Sequence, residues 1–243
     1  MIQVSHLTKT YNGLRAVDDL SFDVAPGEIV GLIGPNGAGK TSTLRCIVGI
    51  QSPSRGTVRI AGHDIVREPI EAKRRLAFMA DEPHLFEYLT VIEHLRLTGR
   101  IYSVSDVESR AEALMAELQL TGKESALPAE LSRGMKQKVA IACGLIHEPD
   151  ALLFDEPLTG LDPLGIRQMK STIVARGRAG RAVIVSSHLL HLVEEICTRI
   201  VIINHGVKLA DGTLAELLTD SRLAAGDTNL EQIFLSVTAH GRQ

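Results

Sequence analysis

The chain has 243 residues, enough for one large α/β domain or two small lobes, and its 44% share of hydrophobic residues is ordinary for a globular protein. A net charge of −3 and 3% aromatic residues without tryptophan disfavour a surface built to bind nucleic acid. Cys46, Cys143 and Cys197 lie far apart, form no metal-binding pattern and indicate a reducing compartment. With neither a signal-peptide pattern nor an apolar run of about 18 residues, the sequence predicts a cytoplasmic chain.

The first part of the chain predicts a small antiparallel sheet. Apolar and polar residues alternate between residues 2 and 25, and Asn12-Gly13 in the middle is a strong turn signal. A further strand of this sheet is predicted at residues 57–62. Tyr11 ends the first strand, and two interpretations of it stay open: a half-buried strand aromatic, or a ring that stacks on adenine.

A glycine-rich loop lies between a predicted strand and a predicted helix. Residues 29–33 are an apolar run, and residues 34–41 fit the pattern GxxxxGK[ST]. Glycines let backbone N–H groups curl inward and a helix N-terminus adds partial positive charge, so this context predicts a nucleotide phosphate site. Lys40 is expected to bind the β and γ phosphates, and the Thr41 hydroxyl to coordinate Mg²⁺. The residues predicted to bind nucleotide here are Gly34, Pro35, Asn36, Gly37, Ala38, Gly39, Lys40, Thr41 and Ser42.

Helical patterns dominate residues 90–144, inside a chain that otherwise alternates strands and helices. Thr90 followed by Glu93 is a capping-box pattern, and Ser132 is placed to cap a later helix. Apolar spacing at residues 230–237 predicts an amphipathic closing helix. The predicted organisation is one domain over residues 1–243, with a core and antiparallel strands at 1–80 and 150–212, a helical subdomain at 83–147 and a helical tail at 213–243.

Two later strands end in candidate catalytic residues. The apolar run at 151–154 is followed by Asp155 and Glu156. Asp155 is expected to be the second Mg²⁺ anchor of a phosphate-loop site, and Glu156 a general base that polarises the attacking water. The apolar run at 182–186 leads to His188, which is either a structural histidine or a donor to the γ-phosphate.

Five motifs follow one another in order along the chain: residues 34–41, 131–137, 152–157, 158–162 and 187–188. With these motifs the chain resembles the ATP-binding subunits of ABC transporters. The segment Leu-Ser-Arg-Gly-Met-Lys-Gln at 131–137 is the most diagnostic, because it is similar to the signature LSGGQ that ordinary P-loop proteins lack. The resemblance implies an α/β P-loop NTPase core with a parallel sheet, an N-terminal antiparallel β-subdomain and an inserted helical subdomain.

The resemblance also implies a role for each candidate residue within one subunit. Tyr11 would stack on adenine, while Lys40 and the loop amides would hold the phosphates. Asp155 would support Mg²⁺. Glu156 would be the catalytic carboxylate, and His188 would sense the γ-phosphate.

A second subunit and a membrane partner are implied in the same way. Ser132 and Gly134 would reach the nucleotide of a second ATP-binding subunit, and Asp162 would lie across the interface of a head-to-tail pair that encloses two ATP molecules. Residues 81–97 would form the groove for a cytoplasmic helix of a transmembrane permease subunit. The chain would then lie on the inner face of the membrane as a peripheral protein.

Three residues depart from the family pattern. Arg133 and Met135 stand where the common signature has Gly and Gln, so Arg133 either adds positive charge near the phosphate or faces solvent. Asp81 stands at the position of the family's loop glutamine. An ionised Asp is shorter and cannot donate a hydrogen bond, so contact with Mg²⁺ or a water is the role left for Asp81.

The leading hypothesis is an ATPase that converts ATP and water to ADP and phosphate with Mg²⁺ and powers transport through a separate membrane protein, of exporter type. A soluble cassette ATPase acting on nucleic acid or ribosomes is the alternative, disfavoured by the single cassette, the short helical insert and the lack of a basic excess. A regulatory module without turnover is disfavoured because Lys40, Asp155, Glu156 and His188 are all present.

Overall fold

The structure is a computed structural model that describes residues 1–219 and 229–240. The strands in these residues are β1 (Ile2–Tyr11), β2 (Leu14–Val24), β3 (Ile29–Ile33), β4 (Arg55–Ile60), β5 (His63–Asp64), β6 (Leu76–Met79), β7 (Ala151–Asp155), β8 (Ala182–Ser187), β9 (Arg199–Asn204) and β10 (Val207–Gly212). The helices are α1 (Lys40–Ile47), α2 (Pro69–Arg74), α3 (Val91–Ile101), α4 (Val107–Glu117), α5 (Arg133–Leu145), α6 (Pro163–Arg178), α7 (Leu190–Ile196), α8 (Leu214–Thr219) and α9 (Leu230–His240).

Strands β2, β1, β4 and β5 form an antiparallel sheet in that order. Asn12 and Gly13 join β1 to β2 with φ angles of 47° and 86°, the positive values that tight hairpin turns require. β4 pairs with the other edge of β1 and places Ile60 opposite Ile2. The small antiparallel sheet predicted from the alternating pattern is confirmed, including its later strand.

The second sheet has the order β10-β9-β3-β8-β7-β6 and is parallel except for the β9–β10 pair. Every residue of β3, β7 and β8 is buried. Apolar clusters that include residues of α1 on one face and of α5 and α6 on the other explain the continuous apolar runs. The parallel α/β core is confirmed, and it gathers the carboxyl ends of β3, β6, β7 and β8 at one edge, where such sheets bind ligands.

The segment between β6 and β7 is helical, with α3, α4 and α5 packed on one another. Thr90 caps α3 in a capping box, in which its backbone N donates to Glu93 Oε2 over 2.7 Å and its hydroxyl accepts from Glu93 N. Ser132 caps α5, as the sequence predicts. The boundaries of the helical subdomain stay a prediction.

The closing helix α9 buries Leu230, Ile233 and Val237 on one face, which confirms the predicted amphipathic pattern. Residues 220–228 and 241–243 of the predicted tail lie outside the described residues. Within the part of the chain that the structure describes, no helix has both the length and the apolar character needed to cross a membrane.

Candidate functional site

Two glycines shape the loop that connects β3 to α1. Gly39 has a φ of +105°, and a Cβ there would lie 2.4 Å from the carbonyl oxygen of Ala16 on β2. A Cβ on Gly34 would lie 2.3 Å from the carbonyl oxygen of Ile203 on β9. Because larger residues would collide with backbone atoms, these glycines let the loop lie close against both strands.

The N-terminus of α1 opens toward this loop. The first backbone bond of the helix runs from Thr43 N to Gly39 O over 2.8 Å, so the amides before Thr43 lack partners within the helix. Asn36, Gly37 and Thr41 are exposed around them. Free amides at a helix N-terminus favour an anion, so the geometry suits the phosphate role predicted for residues 34–42.

Lys40 is buried at the start of α1. Its Nζ donates to the carbonyl oxygens of Gly34 and Pro35 over 2.7 and 3.3 Å. Burial lowers the pKa of Lys40, while the nearby carboxylates of Glu156 and Asp155 act in the opposite direction. One ammonium group therefore lies close to two acidic side chains at the carboxyl edge of the sheet.

Ser186 on β8 organises the acidic end of β7. Its hydroxyl donates to Asp155 Oδ1 over 2.5 Å and accepts from the backbone N of Glu156 over 3.1 Å. Glu156 has a φ of +49°, a left-handed conformation that non-glycine residues rarely adopt. These bonds hold Asp155 against β8 while the chain turns sharply and presents Glu156 at the strand end.

His188 and Glu156 contact each other. Glu156 Oε2 lies 2.8 Å from His188 Nδ1 and accepts from the His188 backbone N over 3.3 Å. The Glu156 side chain is 17% exposed and that of His188 is 55% exposed. Since a carboxylate accepts, Nδ1 donates, and Nε2 can donate elsewhere only when the imidazole carries both protons. The two predicted catalytic residues are thus adjacent.

The residues present suit Mg²⁺. Among the described residues, no group of three or more His, Cys, Asp and Glu side chains forms a metal cage. A Mg²⁺ ion is usually held by one or two protein oxygens together with substrate phosphates, so no such cage is required. Oxygen ligands are available from Asp155, Glu156 and the exposed Thr41, and the two carboxylates beside Lys40 favour a divalent cation.

The signature segment begins at Ser132, whose Oγ accepts from Met135 N over 3.3 Å at the N-terminus of α5. The buried Gln137 donates from Nε2 to the carbonyl oxygen of Pro157 over 2.8 Å. A Cβ on Gly134 would lie 3.3 Å from the Leu161 side chain. The signature helix is therefore tied to the segment that follows Glu156.

Arg133 and Asp81, two of the departures from the family pattern, are paired. Arg133 Nη2 lies 3.5 Å from Asp81 Oδ1, with side chains 56% and 43% exposed. A Cβ on Gly160 would lie 3.3 Å from Arg133 Nε. Arg133 is thus more than half exposed and also paired with a carboxylate of its own chain, so both interpretations of it stay open. The contact of Asp81 with Mg²⁺ stays a prediction.

Tyr11 and Asp162 both have local partners. The Tyr11 hydroxyl donates to Gln51 Oε1, and Lys9 Nζ lies 5.1 Å from the ring centroid. Asp162 caps α6, with Oδ1 accepting from Gly165 N over 2.6 Å. The adenine contact of Tyr11 and the interface role of Asp162 remain predictions, because these bonds explain only the local structure.

Sequence reasoning missed Ser186. The residue faces Asp155 in the register of β7 and β8, and its hydroxyl joins both acidic residues of the site. The sequence does show Ser186 as a polar residue at the end of an apolar run, two positions before His188, and this pattern could have marked it as a candidate site residue. Its partner depended on which strands are neighbours, and that follows from the tertiary structure.

Comparisons with known proteins agree with this geometry. The family described as "ABC transporter" matches residues 17–159. The chain is 35% identical over 240 residues to the "ABC-type transporter ATP-binding protein EcsA" of Bacillus subtilis (strain 168), covering 98% of this chain and 96% of that protein. It is 37% identical over 218 residues to the "Daunorubicin/doxorubicin resistance ATP-binding protein DrrA" of Streptomyces peucetius, covering 89% of this chain and 66% of that protein.

Solved structures give the same picture. An "ATP binding subunit of ABC transporter" superimposes with a TM-score of 0.92 at 35% identity, covering 98% of this chain and 99% of that one. An ATP-binding cassette in a dimeric, post-hydrolysis state bound to ADP and Pi matches with a TM-score of 0.81 at 24% identity, covering 88% of this chain and 99% of that one, which supports the fold. The chain belongs to the ABC transporter family, as an ATP-binding subunit that hydrolyses ATP.

Proposed function

We propose that this subunit powers the transport of a substrate across a membrane through separate transmembrane permease subunits. The observation that carries the chemistry is the convergence of Lys40, Asp155, Glu156 and His188 at the carboxyl edge of the parallel sheet. The proposed place of the chain is peripheral, on the cytoplasmic face of the membrane, held there by the permease. No nucleic acid takes part in this function.

Within one subunit, the proposed roles follow from position and charge. Lys40 and the amides at the start of α1 bind the triphosphate, while Thr41 and Asp155 are the residues that would hold Mg²⁺. When bound, the ion would neutralise part of the phosphate charge. Glu156 takes a proton from a water as that water's oxygen bonds to the γ-phosphorus and the bond to the ADP oxygen breaks. His188 orients this carboxylate through Nδ1 and senses the γ-phosphate.

The proposed working unit is a head-to-tail pair, homodimeric or heterodimeric, that encloses two ATP molecules. Ser132 and Gly134 at the N-terminus of α5 would meet the γ-phosphate held by the other subunit, since helix N-termini favour anions. Asp162 would lie across this interface, and Tyr11 would stack on adenine. Loss of the γ-phosphate on hydrolysis removes the anion that joins the two surfaces, so the pair would open.

An apolar cavity of about 490 Å³ supports the proposed permease contact. It lies where the core meets the proposed helical subdomain at 83–147. Part of its lining comes from the proposed groove at residues 81–97. Residues that line it include Ile50, Phe78, Leu85, Phe86, Tyr102 and Ala140. An exposed Phe86 at its rim is a side chain that a docked helix would cover.

Tagged chain purified from detergent-solubilised membranes of its source cell is expected to retain a stoichiometric multi-spanning protein, identified by mass spectrometry. Phe86→Asp should abolish this retention because a carboxylate would be buried in the apolar contact. Leu14→Ser, at another exposed apolar residue, is the matched control and should retain the partner. Recovery with ribosomes or nucleic acid alone would replace transport by the soluble-cassette alternative.

We further propose that Arg133 and Asp81 act as one unit. Arg133→Gly would leave unpaired the carboxylate of Asp81, which follows β6 at the carboxyl edge of the sheet. The change should raise the KM for ATP roughly twofold at low salt, the modest effect expected of an exposed pair. Asp81→Asn in the Arg133→Gly background should restore the KM. If the double variant keeps the raised KM, the pair has no functional coupling. The same conclusion follows if Arg133→Gly raises the KM as much at high salt as at low salt.

A further inference from the structure

The closing helix α9 reaches the catalytic edge of the sheet. A cavity of about 280 Å³ is lined by residues of three segments: Gly34, Pro35 and Asn36 of the phosphate loop, then Ser187, His188 and Leu190, and Phe234 of α9. Phe234 is half-buried and belongs to the apolar cluster under α9. An aromatic side chain from the end of the chain therefore shares one cavity with the phosphate loop and with His188.

The buried face of α9 packs against β3, which leads into the phosphate loop, and against α7, which follows His188. Leu230, Ile233 and Val237 form a cluster with Ile33, the last residue before the phosphate loop, and with Val193 of α7. Glu194 of α7 also accepts the backbone N–H of Leu230 over 2.6 Å, at the start of α9. A carboxylate there suits the partial positive charge of a helix N-terminus. α7 and α9 are thus joined by apolar packing and by a charge-assisted bond.

His188 lies next to these packed elements along the chain. It lies in the short connection between β8 and α7, and more than half of its side chain is exposed. The contact with Glu156 constrains only one edge of the imidazole. Because α7 begins two residues after His188, a shift of α7 would move the backbone that carries the imidazole.

We propose that Phe234 is a positioning residue for His188, and that the docking of α9 on α7 controls the rate of hydrolysis and not the binding of ATP. The inference rests on the roles proposed for Glu156 and His188. Phe234 touches no reacting atom. It lines the cavity together with the phosphate loop and His188, and through the packing of α9 on α7 it keeps the imidazole beside the Glu156 carboxylate. Any factor that lifts α9 would slow turnover while leaving the phosphate loop able to hold ATP.

The test measures kcat and KM for ATP in the full-length chain. Phe234→Ala is expected to lower kcat roughly tenfold, because small misplacements of catalytic groups have large effects on rate, and to leave KM within about twofold. Phe234→Leu, which restores most of the volume, should recover most of kcat. Leu235→Ala, at an exposed position of the same helix, is the matched control and should match the unmodified chain.

A second variant covers the case in which Phe234→Ala fails to fold, as judged by its melting temperature. Glu194→Gln keeps the shape of the α7 side chain but weakens its bond to the α9 N-terminus, and it should also lower kcat without changing KM. An unchanged kcat in a folded Phe234→Ala variant would overturn the proposal. So would a parallel rise in KM, or an equal loss in Leu235→Ala.

His188→Ala distinguishes failure of this inference from failure of the proposed function. It should lower kcat roughly a hundredfold, and adding Phe234→Ala to it should cause no further loss, because the residue to be positioned is gone. A normal kcat in His188→Ala would refute the role of the histidine, and the inference with it. A further tenfold loss in the double variant would mean that Phe234 acts elsewhere, and it would refute the inference alone.

Discussion

Glu156→Gln is expected to lower steady-state ATP hydrolysis by at least about a hundredfold, the usual contribution of a positioned general base. The amide keeps the size of the side chain, and its oxygen can still accept from the His188 backbone N, as Oε2 does here. It cannot take a proton from the attacking water. ATP should therefore bind and remain intact, and the variant should accumulate as an ATP-bound dimer, measured by size-exclusion chromatography of samples loaded with radiolabelled ATP.

Two further variants make this result specific. Glu112→Gln removes the same charge at an exposed position of α4, outside the proposed site, and should hydrolyse ATP normally. Asp155→Asn should instead weaken Mg²⁺-dependent nucleotide binding, because the proposed metal ligand would be lost. Unchanged turnover in Glu156→Gln would contradict the role of Glu156 as the base. Loss of ATP binding in that variant would assign Glu156 to binding.

Much of the fold follows from local chemistry that a sequence displays. Asn12-Gly13 predicts its hairpin because both residues accept positive φ angles at low cost. The apolar run of β7 predicts a central parallel strand because only such strands are buried on both faces. The capping box at Thr90 and Glu93 requires residues only three positions apart. Each of these features is determined within a few residues of the chain.

The contacts that organise the site could not be predicted in this way. Ser186 meets Asp155 across 31 positions of the chain, and Arg133 meets Asp81 across 52. Both contacts depend on which strands are neighbours and on how the helical segment packs against the loop after β6. Phe234 appears in the sequence only as one apolar residue of an amphipathic helix, and its place in a cavity shared with His188 follows from the docking of α9.

Mixing two inactive variants is expected to restore activity if each ATP is enclosed by two subunits. Lys40→Met removes the phosphate-binding ammonium. Ser132→Asp should preserve α5, because Asp caps helices as well as Ser does, while its charge would repel a γ-phosphate held by the partner. Ser132→Thr keeps the hydroxyl and should remain active. Each of the two inactive variants alone should hydrolyse ATP at background rates.

The activity of mixtures then separates a shared site from a site within one chain. In a 1:1 mixture of freely exchanging variants, half of the dimers are mixed, and a shared arrangement gives each of them one intact site. The expected rate is about a quarter of the unmodified rate, if sites act independently. A site within one chain predicts no recovery.

The double variant, Lys40→Met with Ser132→Asp, supplies the decisive control when it is mixed 1:1 with unmodified chain. A shared site leaves only unmodified dimers active and predicts about a quarter of the full rate, whereas a site within one chain predicts about half. The two arrangements differ when the sites act independently, because obligate coupling would silence the mixed dimers in both and give about a quarter of the full rate in either case. A rate near half would therefore exclude Ser132 from the site of the partner subunit and would refute the shared arrangement.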